Sequence, residues 1–469
     1  MAEHRLRTIS FILLIVAFVT AIPYFALRAS GYRIDRTHWR IVPTGAIAVN
    51  AVPVGATVIV RDAEGDTVAT GRTTAFSQTA FFPDLLPGTY TVEAGATGRQ
   101  TWTKTANVAE RQTASFAFVR LFPSTITPTA TFSRPPKELR THPENTWLIG
   151  WDDAGLLAMS LRDSAPMPAL ERLVSGNIAD ASWIGTTRLL LRFGSGAVSV
   201  VDLADPAAPR LLPLTSTVRA AASFDDDAFL ALTEEGALVR TLLTPPRTAL
   251  QIVETETVAE GVRAFVPHGR AFSFVDDRGL LWTQEPNIAQ PVQRSVVPLE
   301  LPEGELQLAA SRHGTAFLVI DPEQTAWLLG RDEDRFVPIA DGIRDAAFSF
   351  DDRKVLMTSA REVTMYMLED RIEQPPRNKG DRETITRLHE EILEAMFLTP
   401  EEEHVLIQSE HALHLLELDP RGGRNNLRYD AESAVAMQTT PPQLFLTDTE
   451  GRLGIIPIPV SGFFSQILL

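Results

Sequence analysis

Eight apolar runs recur through the last three-quarters of the chain, and their spacing limits the fold more than any other feature. They start at Trp147 (WLIGW), Arg188 (RLLLRF), Ala228 (AFLAL), Ala271 (AFSFV), Ala316 (AFLVI), Lys354 (KVLMT), His404 (HVLIQ) and Gln443 (QLFLT). Successive starts lie 41, 40, 43, 45, 38, 50 and 39 residues apart, a mean near 42. A repeat of roughly 40–45 residues with several strands per unit predicts a β-propeller, each unit being one sheet of a ring.

The unit is clearest between Gly342 and Leu368 (GIRDAAFSFDDRKVLMTSAREVTMYML). A short strand at 344–348 meets the polar turn Ser349-Phe350-Asp351-Asp352, an apolar strand follows at 354–358, and an alternating strand spans 362–368. The second strand is apolar throughout because neighbouring sheets cover both of its faces. In the turn before it, Ser, Asp and Thr oxygens can bond back to the turn's own backbone, as at Ser223-Phe224-Asp225-Asp226 and Thr399-Pro400-Glu401-Glu402. Eight units give eight blades, or seven if Trp147 opens only a partial unit. The last unit lacks a fourth strand of its own. The stretch 124–132 is the candidate to supply it, which would leave no unpaired edge.

Two segments stand apart from the repeat. Residues 124–145, rich in Pro, Ser and Thr, read as a linker with room for one strand. Residues 370–391 (DRIEQPPRNKGDRETITRLHEE) break the period and leave room for one short helix near their end. Such an insertion is either a partner contact or a mobile solvent loop, and the loop reading is favoured.

At the other end of the chain, the uncharged run from Ile9 to Leu27 is 19 residues long. At ~1.5 Å per residue it spans roughly 28 Å, the thickness of a bilayer's hydrocarbon core. A retained signal-anchor is favoured over a cleaved signal peptide, whose nearest cleavage site would be Ala29-Ser30-Gly31. Arg5 and Arg7 precede the run while Arg28, Arg33, Arg36 and Arg40 follow it, so the positive-inside rule leans toward a cytoplasmic body.

Between this helix and the repeat, alternating strands at 46–51, 57–61, 89–94, 100–108 and 112–119 are divided by turns such as Asp62-Ala63-Glu64-Gly65. Six or seven strands in some 75 residues suffice for a small sandwich. The stretches Val52-Pro53-Val54-Gly55-Ala56-Thr57-Val58 and Leu85-Leu86-Pro87-Gly88-Thr89-Tyr90-Thr91-Val92, with Gly98 after them, resemble the PEGA domain of bacterial surface proteins. Ala29-Ser30-Gly31-Tyr32-Arg33-Ile34-Asp35 resembles the membrane-anchored members of that group. Val54 replaces the Glu of the family's name, and Arg99 stands where an aromatic often follows Gly98. The resemblance implies an extracytoplasmic sandwich that spaces or docks a larger domain, and it brings no catalytic residues. It opposes the charge rule, and a body outside the cell membrane is favoured. The polar turns of the repeat resemble the Ser-Pro-Asp-Gly of TolB-like and WD40-like propellers.

The expected organisation is all-β: a single transmembrane helix and flank at 1–40, a PEGA-like β-sandwich at 41–123, a linker or closing strand at 124–145, and a propeller at 146–469. Beyond residue 40 the chain carries 37 basic and 57 acidic residues, a balance of −20 that repels nucleic acid and anionic lipid. With no cysteine, disulfides and thiolate sites are excluded.

Candidate chemistry is sparse. His411 and His414 are a close histidine pair, but on a strand residues three apart face opposite ways, so no metal site is expected. The acids Asp152/Asp153, Asp225/Asp226/Asp227, Asp276/Asp277 and Asp351/Asp352 fall at equivalent turns, which favours a structural role over acid–base or calcium chemistry. Trp147, Trp151, Trp183, Trp282 and Trp327 are either core or a sugar-binding rim, core being favoured. No nucleophile elbow, phosphate loop or dinucleotide fingerprint occurs. The expected function is a non-enzymatic membrane-anchored scaffold, with no catalytic residue, cofactor or metal, displaying its propeller to a protein or cell-envelope polymer. The alternatives are a glycan- or peptide-cleaving enzyme using carboxylates near the central channel and a cytoplasm-facing sensor. The enzyme would need clustered acids on the first strands, which read as largely apolar or neutral (Asp180-Ala181-Ser182, Ala220-Ala221-Ala222, Glu394-Ala395-Met396).

Overall fold

The computed structural model describes residues 2–35, 40–74, 76–144, 146–205, 207–245, 248–286, 288, 290–430, 435–439 and 442–459. Arg36 of the basic flank, Asn145 of the linker stretch and the terminal 460–469 lie outside them. Two compact units emerge, one holding the chain up to Thr125 together with Asp419–Asn425, the other holding Ile126–Leu418 and Asn426–Ile458.

The first unit opens with helix α1 (Ala2–Ala29), whose stretch Ser10–Ala29 is long and apolar enough to cross a membrane. Its large side chains are left uncovered: Phe11, Leu14, Phe18 and Phe25 are each more than 60% exposed. Two sheets follow. One orders Thr67–Arg72, Thr57–Arg61, Gly88–Gly95 and Trp102–Val108; the other orders Thr79–Leu85, Gly45–Val52 and Thr113–Arg120, the last pair parallel. Period-2 alternation aims Ile47, Val49, Val58, Val60, Phe82, Val92, Trp102 and Phe116 into one shared core. Lys104 falls in the inward register of Trp102–Val108 and is 1% exposed. Its ammonium donates to the carbonyls of Asp419 and Gly423, 2.6 Å each, which offsets the loss of hydration.

The second unit is a succession of antiparallel sheets, numbered here I to VIII among the described residues. Sheet I contains Glu138–Thr141, Trp147–Asp152 and Gly155–Ser160; II contains Ile178–Ile184, Arg188–Phe193, Ala197–Asp202 and the first half of Arg210–Asp225. The second half of that strand opens III, with Ala228–Thr233, Leu238–Leu243 and Ile252–Ala259. Val262–His268, Ala271–Asp276, Leu281–Gln284 and Val292–Gln293 form IV, and Gln307–Ala310, Phe317–Ile320, Ala326–Leu329 and Val337–Ala340 form V. Sheet VI is Asp345–Phe348, Lys354–Thr358, Glu362–Met367 and Arg382–Arg387; VII is Ile392–Phe397, His404–Ser409, Ala412–Glu417 and Asn426–Asp430. Sheet VIII takes Val435–Thr439, Pro442–Thr447 and Arg452–Pro457, and its fourth strand is Pro128–Thr131, from more than 300 residues earlier. First strands touch in succession from II to VII, and that of I touches that of VIII. Sheets made in chain order, with first strands side by side and one sheet shared by both ends, are the connectivity of a β-propeller.

The apolar runs become second strands, six starting on the expected residue and two shifted by one, to Phe317 and Pro442. Burial explains them: every residue of Ala271–Asp276 and Lys354–Thr358 is buried. The segment 370–391 is a correction. No short helix forms there; Arg382–Arg387 is the fourth strand of sheet VI, because its backbone completes the ladder on Glu362–Met367. What precedes it is anchored at Arg371 and Arg377, with an exposed tip between them. Arg371 makes a two-pronged pair with Glu403 at 2.8 and 2.9 Å, both side chains about 12% exposed or less, and Arg377 donates to the carbonyl of Leu418 at 2.7 Å. Replacing Arg371 by Met leaves Glu403, among the described residues, with Lys354 as its remaining cation, 3.7 Å away. The expected cost is about 1.5–3 kcal/mol by denaturant unfolding, mostly restored when Glu403 is changed to Leu as well.

Candidate functional site: the first-strand wall and its arginine-lined cavity

In sheets II to VII a buried apolar residue stands at or just before the start of the first strand (Ile178, Val218, Val262, Leu306, Ile343, Ile392). In four sheets the register slips just after it, between Ile178 and Asp180, Val218 and Ala220, Val262 and Ala264, and Ile392 and Glu394. A bulge turns its extra residue out of the ladder. Arg219 and Arg263, the extra residues of two of these bulges, reach toward the next sheet, as does Arg344, just ahead of its strand. Arg219 donates to the carbonyl of Val262 at 3.0 Å, Arg263 to those of Pro302 (2.7 Å) and Gly304 (2.8 Å), and Arg344 pairs with Glu391. Sequence reasoning missed these residues. Their signal is a recurring triplet at one repeat position, Val218-Arg219-Ala220, Val262-Arg263-Ala264 and Ile343-Arg344-Asp345.

The first strands are also more acidic than expected. Glu138 lies within electrostatic reach of Arg140 and Asp180, and Glu394 within reach of Arg140, Asp345 and Glu138. Burial raises the Glu394 carboxyl above its ordinary range; Arg140 opposes this, and Asp345 and Glu138 add to it. Burial likewise raises Glu138, with Arg140 opposing and Asp180 adding, and raises Asp345. Glu138 and Asp345 nevertheless remain exposed to water. A carboxyl whose folded pKa is raised contributes stability below its unfolded pKa and loses it as pH climbs through the folded value. Glu394→Gln is therefore expected to stabilise the protein at pH 7 by up to about 1 kcal/mol, since partial exposure lets solvent screen the charge. That gain should fade as pH falls below the ordinary carboxylate range, read by thermal unfolding at several pH values.

Near the entry of the first strands of III, IV and V is a cavity of about 550 Å³. It is lined by Arg192, Arg219 and Arg263, by Glu234 and Glu305, and by Gln307 among others.

The other candidates are structural. Asp276 accepts from the backbone of Arg278 and Leu280 and from the Trp282 indole at 3.0 Å; Asp321 does the same for Thr325 and the Trp327 indole at 2.8 Å. Asp152 accepts from Ala154 and Gly155, Asp351 from Ser349 and Arg353, and Asp225 from the amide of Asp226. Asp352 accepts from the amides of Arg312 and His313, and Glu402 from that of Phe350, so these turn acids bolt one sheet to the sheet before it. Trp151 is buried, and Trp183 packs edge-on against His142 at 4.5 Å. His414 is buried on its strand beside Asn426, while His411 precedes that strand. Among the described residues no group of three or more His, Cys, Asp or Glu gathers as metal ligands would. His268 contacts Ser273 at 2.8 Å, but Ser273 is fully buried and touches Thr283, so this chain of hydroxyls ties strands together.

No family model matches the chain. No curated protein matches its sequence. Solved structures do match its shape. The chain is similar to the Dos1 propeller, with a TM-score of 0.51 and 13% identity over 71% of this chain and 95% of that one. It is also similar to Sqt1 of Saccharomyces cerevisiae, with a TM-score of 0.50 and 9% identity over 71% of this chain and 99% of that one. At such identities the likeness concerns fold alone, and it agrees with the strand connectivity: the repeat region is a β-propeller.

Proposed function

We propose that this protein is a non-enzymatic, membrane-anchored scaffold. In this reading α1 holds it in the membrane, a PEGA-like sandwich at 41–123 follows, and an eight-bladed propeller from 146 onward, closed by a strand from 124–145, displays a binding surface outside the cytoplasm. The partner is a protein or an envelope polymer, not nucleic acid, which the acidic body repels. The observation that carries the reading is the pinning between sheets. First-strand arginines and turn carboxylates clasp successive sheets, so surface loops are held in fixed positions, as suits recognition without large rearrangement. The test is a pull-down with the full chain in detergent, alongside a variant in which 372–376 is replaced by a short glycine linker that spares the strand Arg382–Arg387. Capture of one defined partner supports the scaffold, and loss of capture in the variant places the contact on that tip. Protease accessibility on intact cells decides the side of the membrane.

A second reading has one observation in its favour. Raised carboxyls at Glu138, Asp345 and Glu394 suit general acid chemistry on a glycan or peptide. It requires that Glu138→Gln or Glu394→Gln abolish hydrolysis of such a polymer.

A further inference from the structure

We infer that the cavity at the entry of sheets III to V binds carboxylate groups, and that its occupant is an acidic, extended peptide segment of the partner. The inference rests on the scaffold reading and names the chemistry of what the scaffold holds.

The cavity gathers three guanidiniums in a chain whose net charge is −16. A guanidinium cannot shed its proton at any ordinary pH, so its five N–H groups must find acceptors or water. Among the described residues none of the three pairs with a carboxylate within 4.0 Å, although Glu234 and Glu305 line the same cavity. Arg263 is committed to the carbonyls of Pro302 and Gly304. Arg219 is half committed: its outer nitrogen meets the Val262 carbonyl, while its Nε is buried without an acceptor. Arg192 makes no hydrogen bond or ion pair among the described residues, though it stands on the second strand of sheet II at the cavity's edge. Beside it Ser195 accepts from the amide of Ala197, leaving its hydroxyl proton free to donate into the cavity. Accessible donors without a partner are thus concentrated on one side, around Arg192 and Ser195.

Two features narrow the ligand. Planar guanidinium forks match carboxylates in two-pronged geometry. The resident Glu234 and Glu305 disfavour a dense polyanion, yet suit a chain in which an acidic group is flanked by amide N–H donors. A volume near 550 Å³ falls in the range of sites that enclose a small ligand or a few residues of peptide.

The test uses the full chain in nanodiscs and fluorescence anisotropy with a labelled hexapeptide alternating aspartate and glycine, its asparagine counterpart serving as control. The aspartate peptide should bind at least about tenfold more tightly than the asparagine one, the size expected of one charge-assisted contact. Arg192→Gln should erase most of that difference without lowering the melting temperature, because Arg192 ties nothing together; Arg219→Gln is the second variant. Equal binding of the two peptides, or unchanged discrimination in Arg192→Gln, overturns the inference. If the partner found by pull-down is held equally by the parent and by Arg192→Gln, the carboxylate site is wrong while the scaffold stands. Absence of any partner removes the scaffold itself.

Discussion

Replacing Phe132 by alanine should destabilise the second unit by about 3–5 kcal/mol, the range for removing a large buried aromatic. Phe132 follows the closing strand Pro128–Thr131 and is 3% exposed. It packs with Leu139, Leu148 and Leu157 of sheet I and with Phe445 and Leu453 of sheet VIII, and its amide donates to the carbonyl of Gly451 at 2.8 Å. This one side chain therefore joins the sheet made from both ends of the propeller segment to the sheet after it. A void there removes packing from two sheets at once and loosens the strand that covers an otherwise open edge. Denaturant unfolding gives the free energy, and limited proteolysis should show faster cutting at 126–135. Leu393→Ala, at a site 59% exposed, should change stability by less than about 0.5 kcal/mol. If the two variants unfold alike, closure does not depend on this contact.

Gly279→Ala is expected to cost about 3–5 kcal/mol, an unusually large effect for one methyl group. Gly279 sits between the second and third strands of sheet IV with φ near +79°, and an added Cβ would lie 2.0 Å from the carbonyl oxygen of Leu299. That oxygen belongs to backbone, and the amide of Leu299 is itself held by the carbonyl of Gly279 at 2.9 Å. Relief therefore requires moving one strand connection against another, breaking this hydrogen bond. Gly269→Ala separates the two contributions. Its φ is also positive, +59°, but nothing lies within 4 Å of the new methyl. It should cost only the left-handed backbone penalty of roughly 1–2 kcal/mol. Equal losses in the two variants would mean that the contact with Leu299 contributes nothing.

Acid should weaken the fold by a separate route. Burial lowers the pKa of His142, His268 and His414 below the ordinary histidine value. His142 is held neutral in a specific way: one ring nitrogen meets the carbonyl of Thr186 at 2.6 Å and the other accepts from the amide of Glu144 at 3.0 Å. The unfolded chain binds protons more readily at these sites, so their contribution is present above pH ~6.5 and is lost as pH falls through that value. His142→Gln should flatten the acid limb of the stability profile between about pH 5 and 7, at some cost in stability at neutral pH.

How far the architecture could be read beforehand depended on whether its cause was local. The second strands were legible because burial on both faces leaves a continuous apolar run, as at Lys354–Thr358, whatever the rest of the chain does. The turn acids were legible as turn residues, since their bonds reach two to four positions along the chain, as Asp276 does to Arg278 and Leu280. The bolts from Asp276 to Trp282 and from Asp321 to Trp327 needed the strand pairing as well, because an indole six residues away meets the carboxylate only when a hairpin folds it back.

By itself, the order of residues determined the apolar helix, the period of the sheets and the face each strand buries, because hydrophobic periodicity is a property of neighbours in sequence. The missing strand of the last unit pointed to 124–132 as its candidate, and the structure fills it with Pro128–Thr131; only the tertiary structure decided that the polar Arg382–Arg387 is a strand and not a helix. It also decided where Lys104 and Arg188 lose their water, and that Arg192, Arg219 and Arg263 converge on one cavity. Those outcomes depend on backbone groups and charges brought together from distant positions, and such partners leave no trace in the local pattern of either segment.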